Sequence, residues 1–174
     1  FAESANFKHV TIKSAKVTGN TGVGALLGCA VTVGDYRPKV SLSRCIVENS
    51  KIASSTDGFA AGGLVGMVDY ATDIMLDSCF NVSTKVTGHY CVGGLLGSGG
   101  KYSRTIVRQC SNQGDVTAQY TGAGGIVGAV DSLIAVSCIN YGKIKGAQQY
   151  SPQQPDDEGC LGTGGIAGGS GTGY

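Results

Sequence analysis

The stretch Gly93-Gly94-Leu95-Leu96-Gly97 belongs to a motif that this 174-residue chain carries in five near-copies. The other copies are Gly24-Ala25-Leu26-Leu27-Gly28, Gly62-Gly63-Leu64-Val65-Gly66, Gly124-Gly125-Ile126-Val127-Gly128 and Gly164-Gly165-Ile166-Ala167-Gly168. Their closing glycines lie 38, 31, 31 and 40 residues apart. A period in this range is typical of repeated supersecondary units, so we expect five structural repeats.

A second sequence pattern recurs once per repeat, at a similar position relative to the glycine motif. A cysteine precedes four of the motifs, and a β-branched residue follows each cysteine after six or seven positions. These cysteines are Cys45, Cys79, Cys110 and Cys138, and Val10 takes their place in the first repeat. In three repeats an asparagine comes two residues after the cysteine and a glycine or serine four residues after it, which predicts a corner. Each repeat therefore offers about three short strands, and no window has a sustained helical period.

These repeats predict an all-β fold, a parallel and right-handed β-solenoid of about five coils. One repeat cannot bury its apolar face alone, whereas stacked coils can, with each strand ~4.8 Å from its equivalent. We expect a single domain, 1–174, with coils at approximately 1–39, 40–73, 74–104, 105–132 and 133–174. The polar segment 147–159 holds two of the three prolines, so we expect it to bulge from the last coil.

The order Cys-x-Asn-x-Gly, a Val-Thr-Gly-like strand and then Gly-Gly-Leu-Val-Gly resembles the GLUG repeat family over almost the whole chain. GLUG repeats occur in large secreted or surface-attached proteins, including adhesin-like proteins and some bacterial IgA-protease polypeptides. The resemblance implies a scaffold segment rather than a catalytic domain, at an extracellular or cell-surface location. The first copy departs from the pattern with Ala25 and no cysteine, as end repeats commonly do.

Composition narrows the range of partners. The net charge is +1, from 13 Lys+Arg against 12 Asp+Glu, which argues against a nucleic-acid partner. No apolar run approaches the ~18–20 residues of a membrane span. The chain starts at Phe1 rather than Met, so we expect a mature product or an excised fragment. Neither end carries a polar capping helix, which predicts axial continuation in a longer array or end-to-end self-association.

Three tyrosines form a candidate binding stripe. Tyr36, Tyr70 and Tyr102 precede the next cysteine of the repeat by nine, nine and eight residues, so we expect them above one another in the loops after the glycine motif. Such a stripe stacks on sugar rings or anchors a protein partner, or else its rings pack together and seal a corner. A second aromatic stripe is predicted at Phe59, Tyr90 and Tyr120.

The seven cysteines divide into two groups. The ladder Cys45, Cys79, Cys110 and Cys138 is expected to hold buried free thiols, because stacked cysteines have parallel Cα–Cβ bonds that suit a disulfide poorly. A disulfide among Cys29, Cys91 and Cys160 stays open. The chain has no Cys-x-x-Cys spacing, so we assign no metal site and no cofactor.

Lysines recur before the second strand of the repeat at Lys16, Lys51, Lys85 and Lys143, and Asp115 takes this place in the fourth coil. This pattern predicts either a solvated face or a site for an anionic glycan.

The acidic residues and one sequon complete the candidates. Asp69 and Asp131 lie two coils apart, ~9.6 Å at the usual strand spacing, close to the carboxylate separation of inverting glycosidases. Asp156-Asp157-Glu158 is either a solvated loop or a Ca²⁺ site. Asn81 begins an Asn-Val-Ser sequon, so it is a glycosylation site or a structural asparagine of the corner.

Three functions are compatible with this sequence. The leading hypothesis is a non-catalytic extracellular structural repeat protein, a surface fibre or filament subunit or an adhesin spacer that acts through axial stacking. The alternative is a module that binds a glycan or host protein through the loop tyrosines. The third is a polysaccharide-active β-helix enzyme, for which we assign no catalytic residue.

Overall fold

The computed structural model describes residues 4–32, 37–146 and 162–170, in which 23 strands and no helix are found. The first coil contains β1 (Ser4–Lys8), β2 (Thr11–Lys13), β3 (Lys16–Gly19), β4 (Val23–Gly24) and β5 (Leu27–Ala30). The second contains β6 (Lys39–Ser43), β7 (Ile46–Glu48), β8 (Lys51–Ser54), β9 (Phe59–Gly62) and β10 (Val65–Val68). The third contains β11 (Asp73–Asp77), β12 (Phe80–Val82), β13 (Lys85–Gly93) and β14 (Leu96–Gly99).

The last two coils follow the same order. The fourth contains β15 (Arg104–Arg108), β16 (Ser111–Asn112), β17 (Val116–Gly124) and β18 (Val127–Val130). The fifth contains β19 (Ser132–Val136), β20 (Ile139–Asn140), β21 (Ile144–Lys145), β22 (Thr163–Gly164) and β23 (Ala167–Ser170). The segment 147–159, for which a bulge is predicted, lies outside the described residues.

Equivalent strands of successive coils stack into four parallel sheets. Sheet 1 is β1-β6-β11-β15-β19, sheet 2 is β2-β7-β12-β16-β20, sheet 3 is β3-β8-β13-β17-β21 with β4, β9 and β22 attached, and sheet 4 is β5-β10-β14-β18-β23. Pairing within each sheet is parallel, for example β6 with β11 and β13 with β17. The prediction of an all-β parallel solenoid is therefore confirmed, with five stacked strands that span about four turns of the coil.

The corner between sheets 1 and 2 is made by one residue in each coil. His9, Arg44, Ser78, Gln109 and Ser137 have φ angles of 56°, 54°, 53°, 51° and 54°. Each directly precedes the ladder cysteine, or Val10 in the first coil. A single left-handed residue turns the chain sharply, so the next side chain points into the core.

The glycine motif lets two layers of backbone approach closely. A Cβ on Gly93 would overlap the carbonyl oxygen of Leu96 and lie 2.6 Å from the amide nitrogen of Gly128 in the next coil. A Cβ on Gly97 would lie 2.7 Å from the amide nitrogen of Ala61 in the coil below. Both positions therefore admit only glycine without a shift of the backbone.

The second glycine of the motif is paired with the asparagine of the next coil. A Cβ on Gly94 would lie 2.5 Å from Cγ of Asn112, and one on Gly125 would lie 2.5 Å from Cγ of Asn140. These asparagines point inward from sheet 2 and are level with one another. The two recurring motifs of the repeat, Cys-x-Asn and Gly-Gly, are thus in contact with each other.

Apolar side chains fill the interior between the sheets. The largest cluster of buried residues includes Leu42, Leu76 and Val107 of sheet 1 with Leu64 and Leu95 of the glycine motifs. A second cluster lies beneath sheet 3. Because each interior position repeats once per coil, the core consists of columns of similar side chains that run along the solenoid axis.

Candidate functional site

The corner between sheets 4 and 1 carries an exposed pair of tyrosines. The side chains of Tyr70 and Tyr102 are 52% and 50% exposed. Their rings meet edge to face, with centroids 5.1 Å apart and an interplanar angle of 84°. Tyr36, the third residue of the predicted stripe, lies outside the described residues.

The two tyrosines are not equivalent positions of the repeat. The Ala71 amide donates to the carbonyl of Lys101 at 2.8 Å, which places Tyr70 level with Lys101 and Tyr102 level with Ala71. Tyr102 has a φ of 59°. Tyr70 and Tyr102 therefore do not lie directly above one another as predicted but form an edge-to-face pair offset by one residue.

Charged groups surround this tyrosine corner. Oδ2 of Asp131 accepts a hydrogen bond from the Tyr102 amide at 2.8 Å, and the Arg37 guanidinium donates to the Tyr102 carbonyl. Nζ of Lys101 lies 5.2 Å from the centroid of the Tyr102 ring, within cation–π range. The arrangement presents two aromatic rings with flanking charges, a combination that suits contact with a sugar ring or a protein side chain.

The two acidic residues that would suggest glycoside hydrolysis contact the tyrosine corner, Asp131 through its carboxylate and Asp69 through its main-chain carbonyl. The carboxylate of Asp131 caps the backbone amide of Tyr102, and the Asp69 carbonyl accepts a hydrogen bond from the Ser103 hydroxyl at 3.0 Å. Within the described residues no group of three or more His, Cys, Asp or Glu side chains could hold a metal ion. The acidic run at 156–158 lies outside these residues.

The second aromatic stripe is interrupted. Phe59 and Tyr90 are level with each other, but Tyr90 pairs with Thr121 because the register between β13 and β17 shifts after Gly88. Tyr120 is displaced by this shift and stacks on His89 with centroids 4.1 Å apart. One extra residue in the fourth coil therefore turns the expected stripe into a compact aromatic cluster.

The ladder cysteines form one column in register. The pairing of β2, β7, β12, β16 and β20 places Cys45, Cys79, Cys110 and Cys138 level with one another, with Val10 beneath them. All four thiols are free; Cys138 is half-buried and the others are buried. The Cys79 amide donates to Sγ of Cys110 at 3.3 Å. Burial raises the pKa of the Cys45 thiol.

The cysteines outside the ladder differ from one another. Cys29 is free and half-buried, and its burial, together with the nearby charge of Asp69, raises the pKa of its thiol. Cys91 is disulfide-bonded. Cys160 lies outside the described residues. The sequence left a disulfide among these three open, and the structure places one at Cys91.

Asn81 is a structural residue of the folded chain. It is fully buried. Its Nδ2 donates to the carbonyls of Thr84 and Gly94, both at 3.1 Å, and its Oδ1 accepts from the Thr84 amide at 2.9 Å. The sequon suggested a glycosylation site, but the folded chain presents no accessible amide at Asn81.

Both ends of the solenoid expose interior columns of the core. In the column Val17–Ile52–Val86–Val116–Ile144, the three middle residues are 0% exposed and the two terminal ones only half-buried. The ladder column behaves alike, with Val10 and Cys138 half-buried at its ends. Among the described residues, no strand pairs with the outer edges of the first-coil strands or of β19, β20, β21 and β23. Each end therefore offers apolar side chains and a row of backbone hydrogen-bonding groups.

The comparisons with known proteins concern the fold. No protein-family model matches the chain, and no curated protein matches it. The structure is similar to a 1.30 Å crystal structure of a "putative immunoglobulin A1 protease" from Bacteroides ovatus, with a TM-score of 0.65 and 18% sequence identity. The similarity covers 97% of this chain and 47% of that one, so the chain spans about half the length of the protein it matches. At this identity the two chains share a β-solenoid fold.

Proposed function

We propose that this chain is a non-catalytic structural segment of an extracellular or cell-surface protein of the GLUG-repeat type. It serves as a fibre subunit or adhesin spacer, and its coils continue axially into further coils. The observation that carries this proposal is the exposure of interior columns at both ends of the solenoid. Another coil of the same cross-section would bury these side chains and pair the edge strands.

Two further observations support the proposed location. Cys91 is disulfide-bonded, and disulfides form and persist mainly in oxidising compartments outside the cytosol. The fold also forms part of a longer chain in the Bacteroides protein, of which it covers 47%. Both agree with a segment of a larger exported polypeptide.

Gly165 provides a selective test of axial stacking. At Gly63, Gly94 and Gly125 an added Cβ would overlap the carbonyl of the equivalent glycine in the next coil, whereas at Gly165 it would meet nothing within 4 Å. Gly165→Ala therefore leaves the isolated fold intact but hinders a coil that docks on the fifth one as the fifth docks on the fourth. Ala25 occupies the same position beneath the second coil, which has Val47 in place of the asparagine, so alanine weakens this contact rather than forbids it. We expect the wild-type chain to self-associate as its concentration rises, with linear particles in electron micrographs, and Gly165→Ala to self-associate more weakly.

A matched control separates axial contacts from lateral ones. Ser132→Ala changes an exposed residue of the same coil and should assemble like the wild type, measured by analytical ultracentrifugation alongside thermal melting curves. A wild-type chain that is monomeric at high concentration, or a Gly165→Ala chain that assembles as well as Ser132→Ala, would reject axial stacking.

A second function is favoured by the tyrosine corner alone. Rings that sealed the corner would be buried, but Tyr70 and Tyr102 are half exposed. We therefore keep the binding of a glycan or a host protein as the second candidate. On a panel of immobilised neutral glycans and host surface proteins, Tyr70→Ala and Tyr102→Ala should lose binding while Tyr141→Ala, which removes a tyrosine 69% exposed elsewhere, retains it. Equal binding by all three variants would reject this role.

A further inference from the structure

We propose that the outer face of sheet 3 binds a linear acidic polysaccharide along a column of lysines. The lysine column consists of Lys16, Lys51 and Lys85, followed by Asp115 and Lys143. The function proposed above does not use this surface, and the inference stands or falls independently of axial stacking.

The lysines lie in a column because the strands that carry them pair in register. Lys16 is level with Lys51, and Lys51 with Lys85. The amide of Lys143 donates to Oδ1 of Asp115 at 3.2 Å, which brings the fourth lysine into line. All five side chains are exposed. Three lysine Cα atoms therefore follow one another at the ~4.8 Å spacing of adjacent strands, with no acidic residue between them.

This run of like charge is unusual for the surface of the molecule. On other faces of the described surface some opposite charges meet, as in Lys13 with Glu48 at 3.0 Å and Arg104 with Asp73 at 3.5 Å. No lysine of the column forms a salt bridge with a described residue. Like charges directly opposite on neighbouring strands are unfavourable, so the column gains most from a ligand that supplies one anion per coil.

Hydroxyl groups lie beside the lysines on the same face. Thr18, Thr87 and Thr117 stand two residues further along their strands, and Lys145 ends this second column. None of these three hydroxyls bonds to a described residue. They can donate to or accept from sugar hydroxyls and carboxylates while the ammonium groups supply the attraction.

The chemistry favours a polysaccharide over a single-stranded nucleic acid. Proteins that hold single strands place aromatic side chains along a basic groove so that successive bases stack on them. The column beside the lysines consists of three threonines, Ala53 and Lys145, and further along β13 and β17 the rings of His89 and Tyr120 stack on each other. A linear glycan with one carboxylate per pyranose ring has a charge spacing close to one strand spacing, which matches the column.

Calorimetric titration of the whole chain with polygalacturonate tests the proposal. Three contacts predict that the logarithm of the binding constant falls with the logarithm of the salt concentration with a slope of about −2, since each charge contributes about 0.7 for a single-stranded polyanion. Lys51→Gln or Lys85→Gln should lower the affinity at least about fivefold and reduce the slope by about 0.7. Lys51→Arg should retain both.

The controls decide among the alternatives. Lys8→Gln and Lys39→Gln remove exposed lysines from the outer face of sheet 1, and they should bind like the wild type. The methyl ester of the same polymer should not bind, because it lacks the charges. Losses with the sheet 1 variants equal to those with Lys51→Gln, binding that ignores salt, or tighter binding to oligothymidylate than to polygalacturonate would each overturn the proposal.

Discussion

Replacing Gly94 with alanine should destabilise the chain strongly, whereas the same replacement at Gly165 should not. A Cβ on Gly94 would overlap the carbonyl oxygen of Gly125 and lie 2.5 Å from Cγ of Asn112. At Gly165 the added carbon would meet nothing within 4 Å. Neither glycine has a φ between +20° and +160°, so backbone strain does not enter the comparison.

The expected loss of stability for Gly94→Ala can be estimated from the groups that must move to admit the added carbon. Overpacking a tight site costs about 1–3 kcal/mol, and here the obstacle is backbone that is itself paired. Moving Asn112 also weakens its hydrogen bonds with the Gly114 carbonyl and with Oδ1 of Asn140, both at 2.8 Å, at about 1 kcal/mol each. We expect a loss of about 3–5 kcal/mol for Gly94→Ala. Gly165→Ala should change stability by less than about 1 kcal/mol, in the stabilising direction, because it reduces the freedom of the unfolded chain.

Urea unfolding followed by circular dichroism measures both variants at a concentration where the chain is monomeric. The double variant Gly94→Ala with Asn112→Ala should lose less stability than the sum of the two single losses, because removing the Asn112 side chain also removes its clash, while the overlap with Gly125 remains. Free energies of unfolding for Gly94→Ala and Gly165→Ala that agree within about 0.5 kcal/mol would refute the reasoning, since the geometric difference would then have no energetic consequence.

Three more predictions follow from the interior. Asn112→Ala should cost about 2–4 kcal/mol in urea unfolding, because the Gly114 amide and carbonyl lose buried partners; an unchanged midpoint would contradict this. Arg44→Gly should raise stability by up to about 1 kcal/mol, because its φ of 54° is unfavourable for a side chain; a loss measured by thermal melting would speak against it. Burial raises the pKa of Cys45 above its usual 9.0, so above that pH the unfolded chain releases a proton that the folded chain keeps, and stability falls. The decline between about pH 8 and about pH 10 should be smaller in Cys45→Ala, and an identical decline would exclude this thiol as a cause.

The spacing of glycines and cysteines was enough to predict the solenoid and its columns. In a stack of similar coils, residues at equal places in the repeat must lie level, so Cys45 and Cys79 could be placed together before any coordinates. The same rule aligned Lys51 with Lys85. Where the repeat length is constant, the position of a residue within its repeat is enough to tell which residues of the neighbouring coils it lies level with.

The corners were harder to predict. Asn and Gly suggested left-handed turns after the cysteine, and one occurs at Ser83, four residues after Cys79, as at Asn49 in the coil below. The left-handed residues directly before the cysteine, at Arg44 and Gln109 among others, were not indicated by the sequence, and Asn112 points inward. The conformational preference of a residue for a turn is small compared with the free energy gained when buried amide groups form hydrogen bonds. The sequence did, however, contain an indication that the asparagine points inward. Ala25 replaces the second glycine in the coil whose upper neighbour has Val47 in place of an asparagine.

The offset in the tyrosine corner was present in the residue counts. The loops 69–72 and 100–103 are both four residues long, whereas Tyr70 and Tyr102 precede the next cysteine by nine and eight residues, so the two tyrosines could not lie level. Tyr102 is one position out of line with Tyr70, and an extra residue displaces Tyr120 in the same way. An unequal residue count therefore moves a side chain out of its column, in a loop as at Tyr102 and in a strand as at Tyr120.

The asparagine column gives the solenoid two chemically different ends. Nδ2 of Asn112 donates to Oδ1 of Asn140 in the fifth coil, while in the first coil the equivalent position is Ile12, level with Val47. A further coil with an asparagine would continue the chain of amides above Asn140. A second copy of this chain would instead bring Ile12 to that place, which buries apolar surface but offers the amide no acceptor. Continuation into an asparagine-bearing coil should therefore be more favourable than stacking of identical copies, and isolated chains should associate only at the upper end of accessible concentrations.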